Sequence, residues 1–134
     1  MKLTTAFKPL AALSATVMAT AVVAAPAAQA RGTVTTATLH GAAAFPNATG
    51  SARFKKDGTK REFEAEVEHV RSLAGRRLTV FVHGTKVGTM RVGNLGRAQL
   101  SRSTELGQRV PRVSAGNRVN VRTAAGTLVA TGRF

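Results

Sequence analysis

A run of alternating acidic and apolar residues near the middle of the chain restricts its fold more than any other feature. Residues 62, 64, 66 and 68 are all glutamate, and the residues between them are Phe63, Ala65 and Val67. A strict period of two is typical of a β-strand with one face buried and the other in water. These glutamates are four of the six acidic residues in the chain, so most of its negative charge lies on one side of one predicted strand.

The segment before this strand predicts its hairpin partner. Asp57-Gly58 separates two alternating runs, and this dipeptide is the strongest short-range signal for a two-residue hairpin turn. With that turn, Arg53 lies opposite Glu62, which is a favourable cross-strand pair of opposite charges. The same register places five apolar side chains on the inner face of the hairpin: Ala52, Phe54, Phe63, Ala65 and Val67.

More short segments of the same kind follow, separated by turns that contain Gly. The predicted strands cover residues 33–40, 51–56, 60–70, 78–83, 86–92, 97–102, 118–123 and 127–134. Their inner faces are expected to include Leu78, Val80, Val82, Ala98, Leu100, Val119 and Val121. About eight short strands at a spacing of roughly 8–12 residues predict an all-β fold, a small antiparallel β-sandwich or barrel. Gly88 inside one of them is expected to mark a β-bulge.

The first thirty residues have the pattern of a secretory signal peptide. Lys2 and Lys8 give a positive start, residues 10–25 are mostly apolar, and Ala28-Gln29-Ala30 is a small-x-small cleavage site. The apolar run is interrupted by hydroxyl residues and is shorter than the roughly 20 apolar residues that a membrane span needs. We therefore predict a signal peptide over residues 1–30 and no transmembrane segment.

The rest of the chain, residues 31–134, is long enough for one domain, which we predict to be a single all-β domain. A signal peptide implies export, so we expect a periplasmic or extracellular protein. The chain contains no Cys, and this domain therefore folds without disulfides.

The basic residues are concentrated in the second half of that domain. Residues 31–68 contain six basic and five acidic residues, whereas residues 69–134 contain twelve basic residues and one acidic residue, Glu105. Such an imbalance attracts polyanions such as anionic polysaccharide, lipid headgroups or extracellular nucleic acid. Arginine suits these partners because its guanidinium group forms paired hydrogen bonds with phosphate, sulfate or carboxylate. The candidate polyanion-binding residues are Arg71, Arg76, Arg77, Arg91, Arg97, Arg102, Arg112, Arg118 and Arg122.

Signals for catalysis or for a bound metal are weak. The sequence has no Cys nucleophile, no Gly-x-Ser-x-Gly motif and no phosphate-binding loop. The turn role of Asp57 is sufficient to explain its presence. No two of His40, His69 and His83 have the spacing of metal ligands. Because His69 continues the phase of Phe63, we expect it to end the buried face of its strand. We therefore predict a non-enzymatic protein with no cofactor.

The glutamate row has two possible roles, a calcium site or a ladder of ion pairs. Calcium is usually held by a loop that wraps around it, whereas side chains on one face of a strand stand in a row about 7 Å apart. The row therefore favours ion pairs with outward arginines of a neighbouring strand, and Arg118 and Arg122 are the candidates.

Several short runs carry a resemblance to known domains. They are Gly50-Ser51-Ala52-Arg53-Phe54, Phe63-Glu64-Ala65-Glu66-Val67, Leu78-Thr79-Val80, Val87-Gly88-Thr89, Gly96-Arg97-Ala98, Val110-Pro111, Ala115-Gly116 and Gly132-Arg133-Phe134. With these turn and core residues the chain resembles a group of small exported bacterial β-domains of uncharacterised function, which implies the fold but no site. Leu39-His40-Gly41 and Val82-His83-Gly84 are distantly similar to the chordin-type repeat domain, although Phe81 and Arg122 stand where that family has His.

Two functions are consistent with these features. The first is an exported binding or structural module that contacts anionic polymers or surfaces through its Arg-rich half. The second is an envelope or extracellular protein-interaction domain whose basic charge is incidental, because net charge governs association and not fold.

Overall fold

Eight β-strands form the fold. The computed structural model describes residues 32–134, so the predicted signal peptide lies outside the described residues. The strands are β1 (Thr33–Gly41), β2 (Thr49–Asp57), β3 (Lys60–Glu68), β4 (Arg77–Val82), β5 (Thr85–Arg91), β6 (Ala98–Ser103), β7 (Arg118–Thr123) and β8 (Leu128–Arg133). The described part of the chain has no α-helix, and its two 3-10 turns are Arg71–Leu73 and Thr104–Leu106. Within residues 32–134, no helix is long and apolar enough to cross a membrane.

All eight strands belong to one antiparallel sheet with the order β5-β4-β7-β8-β1-β2-β3-β6. The first and last strands of this order, β5 and β6, lie against each other, so the sheet is rolled into a nearly closed barrel. The predicted all-β fold with about eight short antiparallel strands is confirmed.

The rolled sheet consists of two four-stranded halves. One half is β1-β2-β3-β6 and the other is β5-β4-β7-β8. Between them, the β1–β8 ladder pairs His40 with Thr131 and Gly41 with Ala130, whereas the β1–β2 and β2–β3 ladders run along whole strands. The two halves therefore have separate outer faces.

The core of the described domain is built from apolar residues. Every apolar side chain predicted to point inward is buried, including Phe63, Val67, Leu78, Val80 and Val121. The Phe63 and Phe134 rings pack edge to face at a centroid distance of 6.4 Å. No polar or charged residue of the described chain is fully buried, so all of its charged groups lie at the surface or at the ends of the barrel.

The register of the β2–β3 hairpin differs from the predicted one. Asp57 pairs with Lys60, so the turn residues are Gly58 and Thr59, and Gly58 has a φ of 62°. Arg53 consequently lies opposite Glu64, and the predicted pairing of Arg53 with Glu62 is wrong. The shift moves each partner by two residues, and a shift of two keeps every side chain on the same face. The buried face was therefore predicted correctly from a wrong register.

The barrel has two ends, which differ in their connections. The end that we call the Gly58 end carries the β2–β3 turn, the β4–β5 turn and the long β6–β7 connection, residues 104–117. The opposite end, which we call the Phe45 end, carries the β1–β2, β3–β4, β5–β6 and β7–β8 connections. In β5, the pairing skips Val87, beside the position at which the sequence predicts a bulge.

His69 does not end the buried face of β3, contrary to the prediction from its phase. The strand ends at Glu68, and His69 has a φ of 63°, which turns the chain out of the strand. Its side chain is exposed, and Val70 is buried instead.

Candidate functional site

The glutamate row lies on the outer face of β3 and is matched by cations from both neighbouring strands or their flanks. Arg53 and Lys55 on β2 reach Glu64 and Glu62 at 3.3 and 3.8 Å. Arg97, directly before β6, lies 3.0 Å from both Glu66 and Glu68. Ion pairing of the row is therefore present.

The predicted partners of that row, Arg118 and Arg122, are wrong. Both lie on β7, which pairs with β4 and β8 in the other half of the sheet. The neighbours of β3 are β2 and β6, so cations from these strands and their flanks reach the glutamates.

Glu66 has the densest set of contacts in the row. Its carboxylate accepts hydrogen bonds from Arg97 Nε at 3.0 Å and from Gln99 Nε2 at 2.8 Å. Partial burial acts to raise the pKa of Glu66, but the hydrogen bonds from Arg97 and Gln99 and the charge of Arg97 outweigh it and hold that pKa below its ordinary value. Arg97 is thus engaged by the acidic row.

Every glutamate of the described chain forms an ion pair, but few of the Lys and Arg residues do. The fifth glutamate, Glu105, lies 3.0 Å from Lys60. Of the seventeen Lys and Arg residues in positions 32–134, only Arg53, Lys55, Lys60 and Arg97 form ion pairs within the described chain. The remaining cations determine the surface potential of the domain.

Many of these cations share one outer face, that of the half-sheet β5-β4-β7-β8. None of these four strands contains an acidic residue. We call their outward cations the basic face: Arg77, Lys86, Arg91, Arg118, Arg122 and Arg133. The charge is therefore segregated by half-sheet, with matched charges on one half and uncompensated positive charge on the other.

The strand register brings like charges together on the basic face. Arg77 pairs with Arg91 across β4 and β5, and Arg118 pairs with Arg133 across β7 and β8. Like charges directly opposite each other destabilise a sheet, and an anion between two guanidinium groups removes that cost. Each pair is therefore a point at which an anionic group would be stabilised.

Two arginines of this face are oriented by backbone carbonyls. Arg122 donates from Nη1 to the Gly126 carbonyl at 3.0 Å, and Arg133 donates from Nη1 to the Gly116 carbonyl at 3.2 Å. A guanidinium group has five N–H donors, so most of its donors still face outward after one such bond.

The nine predicted polyanion-binding residues fall into separate groups. Arg77, Arg91, Arg118 and Arg122 lie on the basic face. Arg71 and Arg76 lie in the β3–β4 connection at the Phe45 end, and Arg112 lies in the β6–β7 connection at the Gly58 end. Arg97 is bound to glutamates, and Arg102 points inward because it pairs with buried Phe63. Arg133 was not predicted, because its position opposite Arg118 becomes visible only with the β7–β8 register.

A groove at the Phe45 end extends from the basic face. Arg76 and Arg77 border it, and apolar side chains including Phe45 and Leu73 line its floor. Its volume is about 570 Å³, and no carboxylate lines it.

None of the three histidines belongs to the basic face, although the His83 backbone N–H donates to the Arg118 carbonyl at 2.9 Å. His40 pairs with Thr49 across β1 and β2, and the Thr49 hydroxyl lies 3.0 Å from His69 Nδ1. His83 lies in the β4–β5 turn at the other end of the barrel. Across residues 32–134, no three His, Asp or Glu side chains are grouped so that they could hold a metal ion.

No protein-family model matches the chain, and a search of curated proteins finds no match to it either. The resemblances noted in the sequence therefore stay predictions.

Proposed function

We propose that this protein is an exported, non-enzymatic module that binds anionic polymers on its basic face. The observation that carries the proposal is the segregation of charge between the two half-sheets. Arg97 and the β2 cations compensate the glutamate row, whereas the strands of the basic face hold no acidic residue.

The layout of the basic face favours an extended partner over a single small anion. The Arg77–Arg91 pair, with Arg122 beside it, lies toward the Phe45 end, and the Arg118–Arg133 pair lies toward the Gly58 end. Arg118 and Arg122 are four residues apart on β7, which corresponds to about 13 Å along a strand. A chain with repeated anionic groups spans both positions, whereas one headgroup reaches only one of them.

The side chains between the arginines favour an anionic polysaccharide over single-stranded nucleic acid. Proteins that bind single strands without sequence preference stack the bases on several aromatic side chains. Phe81 is the one aromatic residue on the described strands of this face, and it is partly buried. Arginine pairs recognise sulfate and carboxylate groups through charge and paired hydrogen bonds without stacking.

The experiment compares two double variants that lose the same charge. Arg77→Gln with Arg91→Gln removes a pair from the basic face, and Arg53→Gln with Lys55→Gln removes two cations from the matched half. Each protein is eluted from a heparin column with a salt gradient. Each lost ionic contact reduces the slope of log K against log salt concentration by about one. The first variant should therefore elute at clearly lower salt than the second.

Three outcomes would contradict the proposal. Elution of the wild-type protein below about 0.15 M salt would mean that no multi-site contact forms. Equal loss of retention in the two double variants would mean that net charge alone is responsible, as expected for a protein-interaction domain with incidental charge. Stronger retention on DNA or on anionic lipid vesicles than on heparin would assign the face to a different partner.

A further inference from the structure

A second group of cations lies away from the basic face, at the Gly58 end of the barrel. A cleft of about 410 Å³ opens there between the β2–β3 turn and the β6–β7 connection. Three cations line it, Lys56, Arg61 and Arg112, together with the hydroxyl residues Thr59 and Ser114. No carboxylate is among the residues that line it.

Strand alternation explains why two of these cations face into the cleft. Lys56 and Arg61 pair with each other across β2 and β3. Each lies two residues from a buried phenylalanine, Phe54 or Phe63, and so points to the same inner side of the sheet, just beyond the apolar core. Lys56 is exposed and Arg61 is half-buried, so the cleft begins where the apolar interior ends. Arg112 reaches the same space from the β6–β7 connection.

The backbone of Arg61 is hydrogen-bonded, but one N–H donor of its guanidinium group has no acceptor among the described residues. Its backbone N–H donates to the Thr104 hydroxyl at 2.9 Å, which fixes the start of β3 against the residues after β6. The Nε atom of its guanidinium group is buried, and it has no hydrogen-bond partner among the described residues. A buried N–H donor without an acceptor is unfavourable, so an oxygen atom supplied by a ligand would stabilise this arrangement.

Arg102 is a further arginine on the interior side of the sheet, although it does not line the cleft. It lies on β6, next to β3, and its side chain also points to the interior side of the sheet. Its guanidinium group occupies the space over Gly88 of β5, where a Cβ atom would come within 2.8 Å of Nη2. The Nε atom of Arg102 is likewise buried and without a partner in the described chain.

We propose that this cleft binds the phosphate or sulfate group of a small ester. Guanidinium groups recognise tetrahedral oxyanions through paired hydrogen bonds, and hydroxyl groups supply further donors. The cleft lies within the size range of roughly 300–1,000 Å³ that is usual for small-molecule sites, so it has room for more than the oxyanion. Phe54 and Val113 provide apolar contact for the rest of the ester.

The test is a titration of the full-length protein with inorganic phosphate at constant ionic strength, followed by the amide NMR signals. Inorganic sulfate, glucose 6-phosphate and glucose are titrated in parallel, so that phosphate, sulfate and ester binding are distinguished. We expect saturable shifts at Thr59 and Ser114, tighter binding of glucose 6-phosphate than of inorganic phosphate, and no binding of glucose.

The variants are Arg112→Gln and Lys56→Gln, and the control is Arg109→Gln, which changes an exposed arginine of the same connection outside the cleft. Loss of one charge-assisted hydrogen bond should weaken phosphate binding roughly tenfold in each cleft variant, with no change in the control. Because Lys56 and Arg112 are exposed, both variants should keep the fold, which the dispersion of the NMR spectrum checks.

The proposal is wrong if phosphate gives no saturation up to about 10 mM, or if the three variants bind it equally. It is also wrong if the shifts occur at Arg77 and Arg91 in place of the cleft. The cleft and the basic face are tested separately, because the Arg77→Gln, Arg91→Gln protein should keep its phosphate affinity while losing heparin retention.

Discussion

Arg97 is the one basic side chain of the described chain that contacts two glutamates at once. It immediately precedes β6 and joins Glu66 to Glu68 on the adjacent strand. The charge of Arg97 and its hydrogen bonds are among the causes that hold the pKa of Glu66 below its ordinary value. The sequence shows the glutamate row but not this partner, because Arg97 is separated from Glu66 by about thirty residues and reaches it only through the pairing of β3 with β6.

We predict that the free energy of unfolding of Arg97→Gln decreases less with falling pH than that of the wild-type protein. A carboxylate whose pKa is lowered in the folded state stabilises the protein above its unfolded pKa, and this contribution disappears as the pH falls through the folded pKa. The wild-type free energy of unfolding should therefore fall as the pH drops below about 5, and the variant should fall less, because Glu66 then keeps only Gln99 as a donor. Urea unfolding at a series of pH values measures the difference.

The control for this experiment is Arg109→Gln, which removes a charge that makes no ion pair in the described chain. Its stability curve should run parallel to that of the wild-type protein. Parallel curves for the wild-type protein and Arg97→Gln would contradict the assigned role of Arg97.

At the scale of single elements, the β2–β3 hairpin separates what a sequence can predict from what it cannot. The alternation of residues 62–68 determines which side chains are buried, because the apolar set has one consistent face. The register depends on whether Asp57 or Gly58 begins the turn. An Asp57-Gly58 turn of type I′ needs a positive φ at both residues, whereas in the structure Gly58 has a positive φ and Asp57 does not, so Gly58 begins the turn. Since both registers bury the same residues, hydrophobic pattern alone cannot distinguish them, and the opposite-charge pairs change while the core does not.

We predict that Phe63→Ala destabilises the domain by about 3–5 kcal/mol, the usual cost of removing a buried ring. Phe63 is fully buried and packs edge to face with the Phe134 ring. The control is Val34→Ala on β1, where 49% of the side chain is exposed and a change of at most about 0.5 kcal/mol is expected. Urea unfolding measures both, and a similar loss in the two variants would mean that β3 does not face the core.

At the scale of the whole molecule, the strand order determines where charge accumulates. β6 joins β3 although it is distant in sequence, and β4, β5, β7 and β8 form the other half of the sheet. The sequence shows that residues 69–134 are strongly basic, but it does not show that their cations from four strands share one outer face. That arrangement depends on contacts between distant strands, which local patterns do not encode.

We predict that Arg91→Gln stabilises the folded protein at low salt by about 0.2–1 kcal/mol, because it removes a like-charge pair with Arg77. The gain should shrink as salt is added, since exposed charges are screened at high ionic strength. Arg53→Gln on the matched half loses the contact with Glu64 and should not be stabilising at any salt concentration. Thermal unfolding at low and high salt measures both, and a loss of stability in Arg91→Gln at low salt would contradict the prediction.

The line along which β5 meets β6 has a consequence for how the barrel moves. The two strands lie against each other without belonging to a common ladder in the described chain, so their facing edges keep backbone groups free. Separating them breaks side-chain contacts, such as that of Arg102 over Gly88, but no row of inter-strand hydrogen bonds. We therefore expect local opening to begin along this line, because the barrel can widen there while every ladder of the sheet stays intact.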